Sequence, residues 1–376
     1  MLIWIPFAAI TLTLAYLGDP QKNTLRTSTL FQGLLVVWLS WFVSFGSGAM
    51  QDHWGYVIYY NSMADRDILG LSQMLSGHIS ALLGSRTELE IGYTFLNILF
   101  NKMGFNAVGF LFSFALAANF LLIKFLYRYK YPVFMVLILI CLGSYTQQAN
   151  LVRQMMAVSI FLYSTKYIVQ KNIQYYILSI FIGSLIHVSL LFLLPLYYLL
   201  NLKPHKSIML GILLLSLLIG LIDYTLPLFD YSFLFYGEVL KKVGVGVSYQ
   251  ISWLTNISLF IVILGKDTEW DNEPKNNIAF NMFFIGEVLR NLVIITPWFF
   301  RLSLYFTITA SIMLPMVPFY INHFRISGNS TIRNYVAFIA GNLLKLYFIL
   351  VLIQITISDG RKLGTIMYKL SEIFKE

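Results

Sequence analysis

Residues 145–200 read YTQQANLVRQMMAVSIFLYSTKYIVQKNIQYYILSIFIGSLIHVSLLFLLPLYYLL, and this stretch decides the fold. Almost all of it is apolar, yet Arg153 stands where one hydrophobic segment begins and His187 lies in the middle of the next. An ionisable side chain in an apolar segment of membrane length is costly, about 2.5–3.5 kcal/mol for an arginine at mid-membrane on insertion scales. The stretch therefore predicts membrane helices that carry a polar site.

The composition of the whole chain agrees with this prediction. Of the 376 residues, 58% are hydrophobic and only 11% are charged, and the mean hydropathy is +0.73. These values indicate an all-α polytopic membrane protein rather than a soluble domain. The formal charge of +9 is carried mostly by short loops between apolar runs, where membrane topology and anionic lipid account for it, so no nucleic-acid partner is indicated. The single cysteine, Cys141, excludes an intramolecular disulfide and a cysteine metal site.

Apolar runs of spanning length extend along the whole chain, which predicts a single integral membrane domain over residues 1–376. The first run is interpreted as a membrane span rather than a removed signal peptide. The run 173–200 is long for one span, so we predict a long or broken helix there. The tail 361–376 has the pattern of an amphipathic interfacial helix. The predicted runs are 2–17, 30–46, 105–126, 132–147, 152–169, 173–200, 207–222, 251–265, 278–296, 302–320 and 334–357.

The basic residues of three short loops set the predicted orientation. Lysines and arginines follow the first, third and fifth runs, and this side should be cytoplasmic. The loop region 47–92 and the beginning of the Arg153 helix then face outward. This loop is rich in tyrosines and carboxylates, which suits a sugar-binding surface; the alternative is an ordinary solvated loop with aromatic anchors at the interface.

Two further charged features have competing interpretations. Glu287 and Arg290 are spaced i, i+3 and share one helix face, either as a pair that fixes helix packing or as part of a substrate site. The chain lacks a Walker loop, a GxSxG elbow, an HExxH pair and a CxxC pair. The acidic pair Asp65 and Asp67 is a weak indication of a divalent metal.

Several of these residues occur in an order that resembles the EpsG-like branch of the Wzy-type polysaccharide polymerases, over nearly the full length of the chain. The ending after Ile357 departs from the proline–tyrosine pair expected there. The motifs that carry the resemblance are Asp52 with Tyr56, Glu90-Ile-Gly-Tyr93, Arg153-Gln154 with Ala157, His187-Val-Ser189 and Arg301-Leu-Ser-Leu-Tyr305-Phe306.

The resemblance implies a glycosyltransferase with a GT-C-like helical membrane fold of about 10–12 transmembrane helices. Such an enzyme joins undecaprenyl-diphosphate-linked oligosaccharide repeat units, one as donor and one as acceptor, at the outer face of the bacterial cytoplasmic membrane. It would act without a metal or another cofactor and would invert the anomeric carbon. Besides the lipid bilayer, a chain-length regulator and a flippase are the partners that the resemblance implies.

The resemblance also assigns roles to particular residues. Arg153 and Arg301 would bind the diphosphate, because the guanidinium fork matches phosphate oxygens. His187, Glu90 and Asp52 are the candidates to orient or deprotonate the incoming hydroxyl. The structural alternatives are an interface anchor for Arg153 and Arg301 and a packing residue between helices for His187. For the carboxylates Glu90 and Asp52 the alternative is an ordinary solvated loop. The residues expected to contact substrate are Tyr56, Arg86, Tyr93, Gln154, Arg290 and Tyr305.

Two other classes of protein fit the same pattern. One is a GT-C enzyme that takes a single sugar from a polyprenyl monophosphate and uses the carboxylates of the first loop with a divalent metal. The other is a flippase for lipid-linked oligosaccharides, which would carry internal repeats and basic residues along a central cavity. No internal repeat is detectable in the sequence.

Overall fold

The computed structural model describes residues 4–45, 53–64, 89–142, 147–225, 245–266, 268–293, 297–323 and 334–352. Within these ranges the chain forms helices and contains no strand. Two 3-10 helices cover Val188–Leu193 and Leu314–Met316. The α-helices are α1 (Trp4–Leu17), α2 (Leu25–Phe45), α3 (His53–Ser62), α4 (Ile91–Lys102), α5 (Ala107–Leu126), α6 (Pro132–Cys141), α7 (Gln147–Asn150), α8 (Val152–Val169), α9 (Ile173–Ser184), α10 (Leu196–Leu199), α11 (Lys206–Thr225), α12 (Val245–Gly265), α13 (Glu269–Asn272), α14 (Pro274–Asn291), α15 (Pro297–Thr307), α16 (Ala310–Met313), α17 (Val317–Asn322) and α18 (Asn334–Leu352).

Four described segments are long and apolar enough to cross a membrane: Leu25–Ser44, Ala107–Leu126, Phe299–Asn322 and Asn334–Leu352. Shorter apolar helices accompany them, among them α6 and α9. A helix satisfies its backbone hydrogen bonds internally, as a chain in hydrocarbon must. The prediction of an all-α polytopic membrane protein is confirmed.

The chain divides into two compact units, Met1–Pro195 with Leu350–Glu376, and Leu196–Ile349. In the first unit α5 packs against both α2 and α8, and α9 packs against α8. An aromatic cluster fills one part of its core, where Tyr60 stacks on Phe110 and the ring of Tyr93 contacts Phe110 and Phe114 edge-on. These contacts fix the beginning of α4 against α3 and α5.

The segment predicted as a long or broken helix at 173–200 contains α9, an extended residue, a 3-10 helix and the short helix α10. His187 has φ −153° and ψ 113°, directly before the 3-10 helix Val188–Leu193. The Leu185 carbonyl accepts hydrogen bonds from the amides of Gly92 at 2.8 Å and Tyr93 at 3.3 Å. These two amides stand at the beginning of α4, where no carbonyl of their own helix is available. The interruption therefore brings His187 close to the N-terminus of α4.

In the second unit, asparagines of α14 satisfy the backbone of a neighbouring segment. The Asn281 side-chain amide donates to the carbonyls of Leu200 and Leu202, both at 2.8 Å. Those carbonyls follow the short helix α10, so they lack partners within it. The same helix α14 packs against α11, α12 and α15.

Candidate functional site

Glu90 lies at the centre of a cluster of charged and polar groups in the first unit. It is the residue immediately before α4, and its side chain is only 3% exposed. Its Oε2 accepts a hydrogen bond from Nη1 of Arg153, at the beginning of α8. Its Oε1 lies 2.8 Å from His187 Nδ1 and accepts the Val188 amide at 3.3 Å. One carboxylate thus joins three segments that are far apart in sequence.

The backbone contact between α4 and the interrupted segment holds this cluster together. A Cβ atom at Gly92 would lie 2.7 Å from the Leu185 carbonyl oxygen and 2.8 Å from Leu185 Cβ. Only a glycine permits so close an approach, and the approach places Glu90 beside His187.

Gly92→Ala is expected to separate α4 from Leu185, because the atoms in the way belong mainly to the backbone and cannot rotate aside. Overpacking of this kind costs about 1–3 kcal/mol of unfolding free energy. The matched control is Gly55→Ala in α3, where an added Cβ meets no atom within 4 Å. Thermal unfolding of both purified variants in detergent measures the difference. Equal melting temperatures for the two variants would show that the Gly92 contact is dispensable.

The surroundings of Glu90 keep it ionised. Burial alone would raise its pKa, but the hydrogen bond with His187 and the positive charge of Arg153 outweigh burial and lower the pKa to about 2, from an ordinary value of 4.5. This folded-state pKa is the lower one, so the resulting stabilisation is present above about pH 4.5 and is lost as the pH falls toward 2. At neutral pH Glu90 is therefore a carboxylate that only accepts hydrogen bonds.

Arg153 keeps unused donors although it is paired with Glu90. Its side chain is 21% exposed, and its Nε makes no hydrogen bond with any residue that the structure describes. The guanidinium carbon lies 5.7 Å from the ring centroid of Tyr93, and Tyr56 interacts with the same guanidinium. The aromatic rings and the carboxylate orient the guanidinium, and its partly exposed positive charge suits an anion.

His187 has one ring nitrogen engaged and one available. The Glu90 carboxylate can only accept, so Nδ1 of His187 carries the hydrogen between them. In the described part of the chain no group forms a hydrogen bond with Nε2, and the side chain is 13% exposed. In the neutral ring Nε2 is therefore a proton acceptor whose direction is set by Glu90.

The other residues predicted for the site are distributed as follows. Tyr56 and Tyr93 lie beside Arg153, and their ring centroids are 6.1 Å apart. Gln154 is buried in α8, next to Arg153 in sequence. Tyr305, which is buried, and Arg301, which is partly exposed, belong to α15 in the second unit. The predicted residues Asp52 and Arg86, the acidic pair Asp65 and Asp67, and the tail 361–376 lie outside the described residues.

A second polar network occupies the second unit. Arg290 Nη2 donates to Glu287 Oε1 and, at 3.0 Å, to Thr255 Oγ1. Thr255 in turn donates to Glu287 Oε2 at 2.7 Å. Directly after Thr255 and Arg290, the side-chain amides of Asn256 and Asn291 exchange two hydrogen bonds of 3.1 and 2.9 Å. Sequence reasoning did not single out Thr255 and Asn256, although two adjacent polar residues in the apolar run 251–265 were the available signal.

The model of the EpsG family matches residues 29–369, nearly the whole chain. No curated protein and no solved structure matches the chain.

Proposed function

Because the chain belongs to the EpsG family, a Wzy-like polysaccharide polymerase family, we propose that it is a membrane glycosyltransferase that polymerises undecaprenyl-diphosphate-linked oligosaccharide repeat units. The reaction would take place at the outer face of the bacterial cytoplasmic membrane and build a surface polysaccharide. The observation that carries this proposal is the cluster of Glu90, Arg153 and His187, which combines an anion-binding cation with an oriented proton acceptor.

Arg153 fits the leaving group of this reaction. The departing lipid diphosphate gains negative charge as the glycosidic bond breaks, and the partly exposed guanidinium of Arg153 would stabilise that charge. Glu90 already balances one positive charge, so the diphosphate requires further cations.

His187 fits the acceptor side of the reaction. The acceptor hydroxyl oxygen attacks the anomeric carbon, the bond to the diphosphate oxygen breaks, and the hydroxyl proton passes to Nε2 of His187. Attack opposite the leaving group inverts the anomeric configuration. Glu90 would position the imidazole and stabilise its positive charge, as carboxylates do for catalytic histidines. Glu90 itself is a poor base, because its pKa is lowered and both of its oxygens are engaged.

The Arg290 pair supports a role for the second unit. This pair resembles Arg153 with Glu90: both arginine side chains are 21% exposed, and the carboxylates of Glu90 and Glu287 are almost fully buried. Neither arginine Nε has a hydrogen-bond partner among the described residues. The donor and the acceptor each carry a diphosphate, and the Arg290 pair is the proposed site for one of them. Packing between helices is the alternative role of the Glu287–Arg290 pair.

Conversion of purified lipid-linked repeat units into a ladder of longer saccharides tests the proposal. The full-length protein in detergent or nanodiscs should produce the ladder without nucleotide sugars. A ladder that requires a polyprenyl monophosphate sugar would instead identify the alternative glycosyltransferase. Transbilayer movement of the lipid without any ladder would identify a flippase.

Polymerisation is expected to continue in excess EDTA, because arginine side chains can neutralise a diphosphate without a metal. Ladder formation by the dialysed enzyme is measured in EDTA and again after excess magnesium or manganese is added to the EDTA-treated enzyme. Loss of the ladder in EDTA and its return with the metal would refute metal independence. Asp65 and Asp67 would then be the first residues to test as ligands.

A further inference from the structure

A small, largely apolar pocket lies in the first unit, between helices α2, α3, α5, α7 and α8. Its walls are apolar, with Phe114 of α5 and Met155 of α8 among them, except for two side chains. These are His53, the first residue of α3, and Gln148 in α7. The pocket is distinct from the Glu90 cluster, since none of its lining residues belongs to that cluster.

Both polar side chains are more than nine-tenths buried, His53 at 3% and Gln148 at 4% exposure. Within the described ranges, His53 Nδ1 and both side-chain polar atoms of Gln148 have no hydrogen-bond partner. Buried donors and acceptors are almost always paired, because an unmade hydrogen bond is costly there. Two such groups lining one pocket therefore indicate a ligand that can both donate and accept.

The size and charge of the pocket limit that ligand. The cavity measures about 10 Å³, which corresponds to a single oxygen atom with its hydrogen rather than a whole ring. Burial lowers the pKa of His53 to about 4, so its imidazole is neutral at neutral pH. Neither polar side chain of the pocket then carries a charge. An anion or a cation in the pocket would therefore lack an opposite charge to pair with. A hydroxyl group meets these conditions.

The position of the pocket connects it to the site already described. Val152 and Met155, which line it, flank Arg153 on α8. Tyr56, one turn after His53 on α3, interacts with the Arg153 guanidinium. The pocket and Arg153 therefore share helices α3 and α8.

We propose that His53 and Gln148 form a subsite for one saccharide hydroxyl of the lipid-linked substrate, and that this contact selects which sugar is accepted. The inference rests on the proposed function and adds a determinant of specificity to it. An internal water is the other source of a hydroxyl-sized ligand, and the experiment below separates the two.

The test compares two probes that share the lipid diphosphate and differ in the sugar. One is the lipid-linked oligosaccharide extracted from cells that lack this protein, and the other is undecaprenyl diphosphate alone. Affinities are measured for the purified full-length protein and for Gln148→Leu and His53→Phe. We expect both variants to lose roughly tenfold or more in affinity for the oligosaccharide probe and to bind the bare diphosphate as the wild type does.

Three further variants make the result decisive. Gln32→Leu introduces the same replacement in the same unit at a buried residue that does not line the pocket, and it should bind both probes normally. Arg153→Ala should lose affinity for both probes. Ala115→Val narrows the pocket and leaves both polar groups in place, so it should reproduce the selective loss even where a polar replacement fails to fold.

Unchanged affinity of all three pocket variants for the oligosaccharide would overturn the subsite and leave an internal water only. Equal loss of both probes would also overturn it, since the effect would then arise at the diphosphate. If the wild-type protein forms a ladder and the pocket variants bind both probes normally, only the subsite is refuted. A wild-type protein that binds neither probe refutes the proposed function itself.

Discussion

Arg153→Ala is expected to abolish polymer formation. The replacement removes the proposed diphosphate contact and leaves Glu90 as a buried carboxylate without its counterion. Loss of one partner from a buried ion pair is strongly destabilising, by about 3–5 kcal/mol. The alanine variant therefore tests function and stability together, and a second replacement has to separate them.

Arg153→Lys makes this separation. Lysine preserves the positive charge opposite Glu90, so folding should be largely retained, but it lacks the planar fork that binds two phosphate oxygens. We expect a correctly folded protein with at least roughly a tenfold loss of polymerisation, the factor that corresponds to 1.4 kcal/mol. Ladder formation per folded molecule, with melting temperature measured on the same preparation, is the test. Full activity of Arg153→Lys would exclude bidentate binding of the diphosphate.

The same pair of replacements applies to Arg301 in the second unit. If both arginines bind diphosphate, Arg301→Ala should also remove the polymer, and Arg301→Lys should restore little of it. The described part of the chain places Arg301 on α15 with its side chain partly exposed. A normal ladder from Arg301→Ala would restrict the diphosphate site to the remaining arginines.

The fold could be predicted well because the membrane imposes simple rules on sequence. The predicted run 152–169 coincides with α8, and 105–126 differs from α5 by two residues. The predicted run 302–320 agrees less well with the structure. Its helices are short and interrupted around Pro315, where a 3-10 helix replaces the α-helix. Apolar composition locates a span, but it does not locate the residues at which backbone hydrogen bonds change partner.

The candidate site could be predicted only in part. Glu90, Arg153 and His187 were identifiable as ionisable residues in or beside apolar segments, which is a local property. Their meeting depends on the Leu185 carbonyl, which binds amides of α4 instead of continuing its own helix, and no pattern within 173–200 indicates that partner. Glu90 was predicted as a candidate for deprotonating or orienting the hydroxyl. The three long-range hydrogen bonds to its oxygens, which join it to Arg153, His187 and Val188, favour the orienting role.

His187→Gln is the second replacement for which we expect a large effect. Glutamine fills a similar volume and can still donate a hydrogen bond to Glu90, but it cannot accept the proton of the acceptor hydroxyl. Loss of a general base typically costs about 10²–10⁴-fold in rate. We therefore expect binding of the lipid-linked substrate and the melting temperature to be retained, with polymerisation reduced by about a hundredfold or more.

A structural histidine would give the opposite result for His187→Gln. Removing a packing residue that bridges Glu90 and the 3-10 helix would lower the yield and the melting temperature, while each folded molecule remained nearly as active. His323→Gln provides the matched control, since His323 is exposed in the second unit and bonds only locally, to the Phe319 carbonyl. A stable and fully active His187→Gln would exclude His187 as the base. Because Glu90 is held ionised by two partners, Asp52 would then become the first candidate for proton removal.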